Sequence, residues 1–236
     1  MKPSNVFQLE MKTLFSGKRN LALKIGLTLL LGFPFVMVAM PLTVKVSGLM
    51  MLVLFTGFFG AAVTLVRRRT DGHTARLKLL PVPQWIILVD FVLSGALIDM
   101  LQTGIILALF VIVNGQGITG STFIYAAGLF CITVVMLNIF GIVLGFVMES
   151  NPEVHLAAAL TTGFFALISN LFPVPARLDR LIETISRYNP ISILSDVLVD
   201  LGQDNVVVHD QPLLIPVLIL VIFTGSVIFR SYDWGI

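Results

Sequence analysis

Two aspartates sit where charge is costly. Asp90 and Asp99 lie nine residues apart in an otherwise apolar run, residues 85–113. Carboxylates that share a proton can drive hydrolysis. At about 100° per residue, however, that spacing sends these two to nearly opposite faces of a helix. They cannot form a dyad, which argues against intramembrane proteolysis. Asp99 has Gln102 and Thr103 one turn on, and Asn138 stands in a separate apolar run. A charge at mid-bilayer costs about 2.5–3.5 kcal/mol on insertion scales, so Asp99 is expected to face protein or water rather than lipid. Asp99, Gln102, Thr103 and Asn138 are therefore candidates for a translocation path or a dimer seam. The competing explanation is local hydrogen-bonded packing. Thr161, Thr162, Ser169 and Asn170 read first as interhelical glue.

Other chemistries find no footing. Cys131 is the single cysteine, so an intrachain disulfide or a thiol metal site is not expected. His73, His155 and His209 fall in three separate loops, a poor arrangement for metal ligands. There is no G-x-x-x-x-G-K-[ST], no H-E-x-x-H and no G-x-S-x-G. The chain is expected to be non-catalytic, with no cofactor or metal of its own.

The surroundings of these residues are those of a membrane protein. The 236 residues are 57% hydrophobic and 12% charged, about half the roughly 25% charged residues of a soluble domain. The net charge of +2 does not suggest nucleic acid. The expected fold is an all-α integral membrane protein, one permease domain over 1–236, with six transmembrane helices over 25–42, 46–66, 85–113, 122–148, 156–172 and 212–229. Residues 1–20 form an amphipathic interfacial helix, with Phe7, Met11, Leu14 and Phe15 on one face. Gly57, Gly60 and Ala61 give the second span a small-residue face, and Gly141-x-x-x-Gly145 gives the fourth a helix-packing motif. Residues 173–211 are too polar to span and read as an external re-entrant region between spans five and six.

Charge sets the orientation. Arg67, Arg68, Arg69, Arg76 and Lys78 crowd the loop between spans two and three. Placed inside, they join Lys2, Lys12, Lys18, Arg19, Lys24 and Arg230, leaving only Lys45, Arg177, Arg180 and Arg187 outside. The positive-inside rule then puts both termini in the cytoplasm.

With the spans placed, the chain resembles the permease subunits of type-2 ABC exporters, and at fold level the membrane halves of the G-subfamily ABC transporters. The likeness covers the whole chain and rests on two places. One is Gly72, Leu77, Leu79, Leu80 and Pro81 in the first cytoplasmic loop. The other is Tyr188-Asn189-Pro190 followed by Ile193 and Asp196. The chain departs from the family at Arg67–Arg69 and Ala75, where acidic residues are usual, and at Asp90, where a basic one is common.

The resemblance implies a prokaryotic inner-membrane subunit that works with two copies of an ABC ATPase and a second permease, as homodimer or heterodimer. ATP and Mg would be held by the ATPase. A pump with no motor must borrow one, and the docking element must be short, rigid and inside. Thr70–Leu80 suits this as a cytoplasmic coupling helix stopped by Pro81. Asp71, Gly72, His73, Thr74, Arg76, Leu77, Lys78, Leu80 and Pro81 are the coupling candidates, with Leu77 and Leu80 filling a groove on the partner. Tyr188, Asn189 and Pro190 are expected to shape the external re-entrant turn. The rival reading is a motor-independent secondary transporter, channel or membrane assembly factor. Repeat halves broken at matching positions would favour it, and Pro34 in the first span has no counterpart in the fourth.

Overall fold

The structure is a computed structural model that describes residues 7–8, 11–12, 18–72, 84–115, 120–172 and 176–203. Among them every regular element is helical: α1 (Lys18–Met37), α2 (Leu42–Thr70), α3 (Gln84–Asn114), α4 (Gly120–Val147), α5 (Asn151–Ile168), α6 (Ala176–Ser186) and α7 (Pro190–Gly202). Three of these, α2, α3 and α4, are long and apolar enough to cross a membrane. The sixth apolar run, 212–229, lies outside the described residues.

Charges at helix ends do not mark the helix boundaries. Lys18, Arg19 and Lys24, read in the sequence as flanking a span from residue 25, belong to α1. Long basic side chains can keep their heads wet while their stems lie along apolar surface. Pro34 stays inside α1, which ends soon after it. α5 begins on a capping box. The Ser150 hydroxyl accepts from the Glu153 amide, and the Glu153 carboxylate accepts from the Ser150 amide. It ends at Ile168 because Asn170 takes a left-handed conformation, φ 55°.

α2 is one continuous span with a π-helical stretch, Phe55–Phe59, in its middle. There the Gly60 amide donates to the Phe55 carbonyl. The Thr56 hydroxyl donates to the carbonyls of Leu52 and Val53, and the rings of Phe55 and Phe59 stack with centroids 4.5 Å apart.

The helices run up and down. At one end of the bundle Lys45, near the start of α2, donates to the Val36 carbonyl of α1 and, at 2.8 Å, to the Asn114 side chain of α3. At the other end Arg69 of α2 reaches the carbonyls of Gly145, Phe146 and Met148 at the close of α4, at 3.0, 3.2 and 2.9 Å. A guanidinium there satisfies carbonyls left over at the helix end and sits at its negative pole. At this same end the Phe7 amide of the N-terminal segment donates to Asp90.

Small residues bring α2 and α4 together. A side chain at Gly141 would strike the Phe58 carbonyl of α2, and one at Gly145 would come within 2.8 Å of the Ala62 carbonyl. The backbones are therefore in direct contact, as expected where no hydrophobic effect drives helices together. α7 buries Ile191, Ile193, Leu194, Val197, Leu198 and Leu201 against the first half of α2 and against α4. α6 is amphipathic but turns its apolar stripe outward: Leu178, Leu181 and Ile185 are exposed, and Ile182 is buried.

Candidate functional site

Asp99 and Asn138 meet. The Asn138 side-chain amide donates to Asp99 Oδ2 at 2.9 Å and also to the Val134 carbonyl in its own helix. A glycine makes room for it. A side chain at Gly95 would come within 2.6 Å of Asn138 Oδ1, while one at Gly57 would press on Leu137 and only touch the Asn138 amide nitrogen at 3.8 Å. Asn138 thus lies between the glycines of two other helices, α2 and α3.

One turn beyond Asp99, Gln102 Oε1 accepts from the Thr28 hydroxyl of α1 at 3.3 Å. Thr103 is fully buried and donates to the Asp99 backbone carbonyl at 2.6 Å. Of the four residues singled out in the sequence, Asp99, Gln102 and Asn138 line one cavity of about 340 Å3, and Thr103 is not among its lining residues. The cavity lies between α1, α2, α3 and α4. Lys24, Thr56, Thr64, Arg68 and Ser94 add polar groups to its wall, and Leu27, Leu31, Phe55 and Phe59 supply apolar surface. The Arg68 guanidinium sits 4.8 Å over the ring of Phe91.

A second cavity, about 830 Å3, lies between α1, α2 and the residues after α5, lined by Phe35, Met51, Leu171 and Phe172 among others. Leu31, Leu52 and Phe55 border both cavities. The π-helical stretch thus begins where the two adjoin.

A family model of the ABC-2 family transporter protein matches residues 42–229. The chain belongs to the ABC-2 transporter family. A comparison with curated proteins finds no match. Membership makes this ABC-2 chain an integral membrane component of a transporter and implies association with an ABC ATPase. It places the chain among transport components that are typically non-catalytic. Among the described residues no group of His, Cys, Asp and Glu could hold a metal.

The remaining candidates of this ABC-2 chain are placed unevenly. Asp71 and Gly72 close α2, with Asp71 in an exposed pair with Arg67 at 3.8 Å and Gly72 left-handed at φ 68°. His73, Thr74, Arg76, Leu77, Lys78, Leu80 and Pro81 lie outside the described residues. Asn189 caps α7. Its Oδ1 accepts from the Ile191 amide at 3.0 Å, and its Nδ2 donates to the Ser169 hydroxyl just after α5 at 2.8 Å. Pro190 takes the first turn of α7, where its missing N–H costs nothing, and Tyr188 is half exposed. Sequence reasoning does not single out Lys24, Thr28, Thr56, Arg68 and the glycines Gly57 and Gly95 as a site. Each is ordinary alone, and only the packing brings them to one wall.

Proposed function

We propose that the chain is the membrane-spanning permease of an ATP-driven exporter. It would have six spans, both termini in the cytoplasm and a second permease beside it as homodimer or heterodimer. Two ATPase subunits would press on the loop 71–81 and switch a path between inward and outward access. ATP and Mg would stay with the ATPase. The re-entrant region 173–211 would close the outer side, with Tyr188, Asn189 and Pro190 at its turn.

The observation that carries this reading is Asp99. It is a carboxylate in a membrane helix, held by an amide from α4 on the wall of a cavity that adjoins a larger, apolar one. Charge is retained in a bilayer where it serves a path. Arg69 supports the coupling. It ties the end of α2, which runs straight into the loop, to the end of α4, which carries Asn138. A push on the loop would reach the cavity wall through packed helices.

The test is co-purification of the full chain with an ABC ATPase, followed by ATPase and transport assays on two variants. Leu77→Ala with Leu80→Ala should weaken ATPase association. Asp99→Asn should leave association intact and reduce transport. A complex without an ATPase, or Asp99→Asn with unchanged transport and ATPase stimulation, would reject the corresponding half of the reading.

A further inference from the structure

We propose that the four-helix cavity receives a hydrophobic amine, whose ammonium group pairs with the carboxylate of Asp99. The proposal rests on the reading of this cavity as part of the path and adds the class of ligand. It begins from an incomplete pairing. Asp99 Oδ2 is taken by Asn138, while Oδ1 has no hydrogen bond and no ion pair among the described residues. An amide neutralises no charge, and a carboxylate withdrawn from water is normally matched by a cation. The geometry leaves that cation's place on the cavity side, because Asp99 lines the cavity.

Lys24 sharpens the argument. α1 and α3 run parallel, and Thr28 pairs with Gln102. One turn back along each helix, Lys24 and Asp99 stand at about the same level of the same cavity. Yet Lys24 makes no ion pair among the described residues. A tethered ammonium so placed is a resident competitor for Asp99, which a ligand's ammonium would displace. The rest of the wall suits the body of such a ligand. Phe55 and Phe59 are stacked, Leu27 and Leu31 flank them, and the volume of about 340 Å3 admits a ring and a short chain. Arg68 keeps its charge while laid on Phe91, so an anionic analogue is the guest against which the amine is set in the experiment.

The experiment uses the full chain in nanodiscs, without ATPase, and tritiated phenylbutylamine read by scintillation proximity, with empty nanodiscs subtracted. Phenylbutanol and phenylbutyrate compete as neutral and anionic analogues of the same body. The amine should bind saturably and at least about tenfold more tightly than either analogue. Asp99→Asn should lose that preference. Lys24→Gln, which leaves Asp99 in place, should tighten amine binding several-fold. It keeps the test decisive if Asp99→Asn fails to fold. Equal binding of amine and alcohol, tightest binding of the acid, or no response to Lys24→Gln would each overturn the proposal. ATPase is then added to portions of the same preparations, so a parent chain that shows no amine selectivity yet binds the ATPase sinks the ligand class alone.

Discussion

Asn138 on α4 holds Asp99 on α3 through a 2.9 Å hydrogen bond, and the absent side chain of Gly95 gives its amide the room. The pair is a membrane version of a general asymmetry: a buried polar group is tolerable when partnered and expensive when orphaned.

Removing one member should therefore hurt more than removing both. Asn138→Leu is expected to cost about 1–3 kcal/mol, the penalty of leaving the part-buried Asp99 acceptor without its partner. Adding Asp99→Leu should recover a good part of it. Unfolding in mixed micelles, analysed as a double-mutant cycle, checks this. Additive losses would mean that the two side chains do not depend on each other.

Gly141 and Gly145 face the α2 backbone, so Gly141→Ala or Gly145→Ala should cost about 1–3 kcal/mol by overpacking. Gly128 on the same helix has nothing within 4 Å of an added Cβ. Gly128→Ala is the matched control and should be neutral or slightly stabilising. The same micelle unfolding assay ranks the three.

Arg69 and Arg67 are neighbours with different fates. Arg67 pairs with Asp71 in the open, side chains 77% and 65% exposed, so Arg67→Gln should change stability by under about 1 kcal/mol. Arg69→Gln removes a donor shared by three carbonyls at the end of α4 and should cost about 1.5–3 kcal/mol. Hydrogen exchange followed by mass spectrometry should show faster exchange around 144–150 in the Arg69 variant only.

Ser150→Ala deletes the hydroxyl half of the box that starts α5. About 1 kcal/mol should be lost, with fraying confined to the first turn of that helix. Exchange at residues 151–155 that stays as slow as in the parent would contradict the assignment of the cap.

Much of this is legible in the residues alone. Hydropathy locates the spans that form α2, α3 and α4, because the bilayer demands length and apolarity from each segment independently. Asp99 and Asn138 also stand out, each being polar inside an apolar run. Their partnership does not, since it depends on how α3 and α4 are rotated against each other. Ser150-x-x-Glu153 has the spacing of a capping box yet passes for part of a polar turn. The end of α5 is hidden because Leu171 and Phe172 carry the apolar run past Ser169 and Asn170 while the backbone turns at Asn170. FTGFF at 55–59 carries no mark of its π geometry.

That widened turn has a consequence for how α2 is aimed. It accommodates one residue more than an α-helical turn would, and each residue rotates the remainder of the helix by about 100°. The segment before it faces α1 and α7, and the segment after it faces α4 and α5. The widened turn takes up that extra residue within one turn. Deleting one of 55–59 would let the stretch close to a plain α-helical turn with Arg69 still aimed at the carbonyls it grips, whereas an insertion elsewhere in α2 would have no such slack.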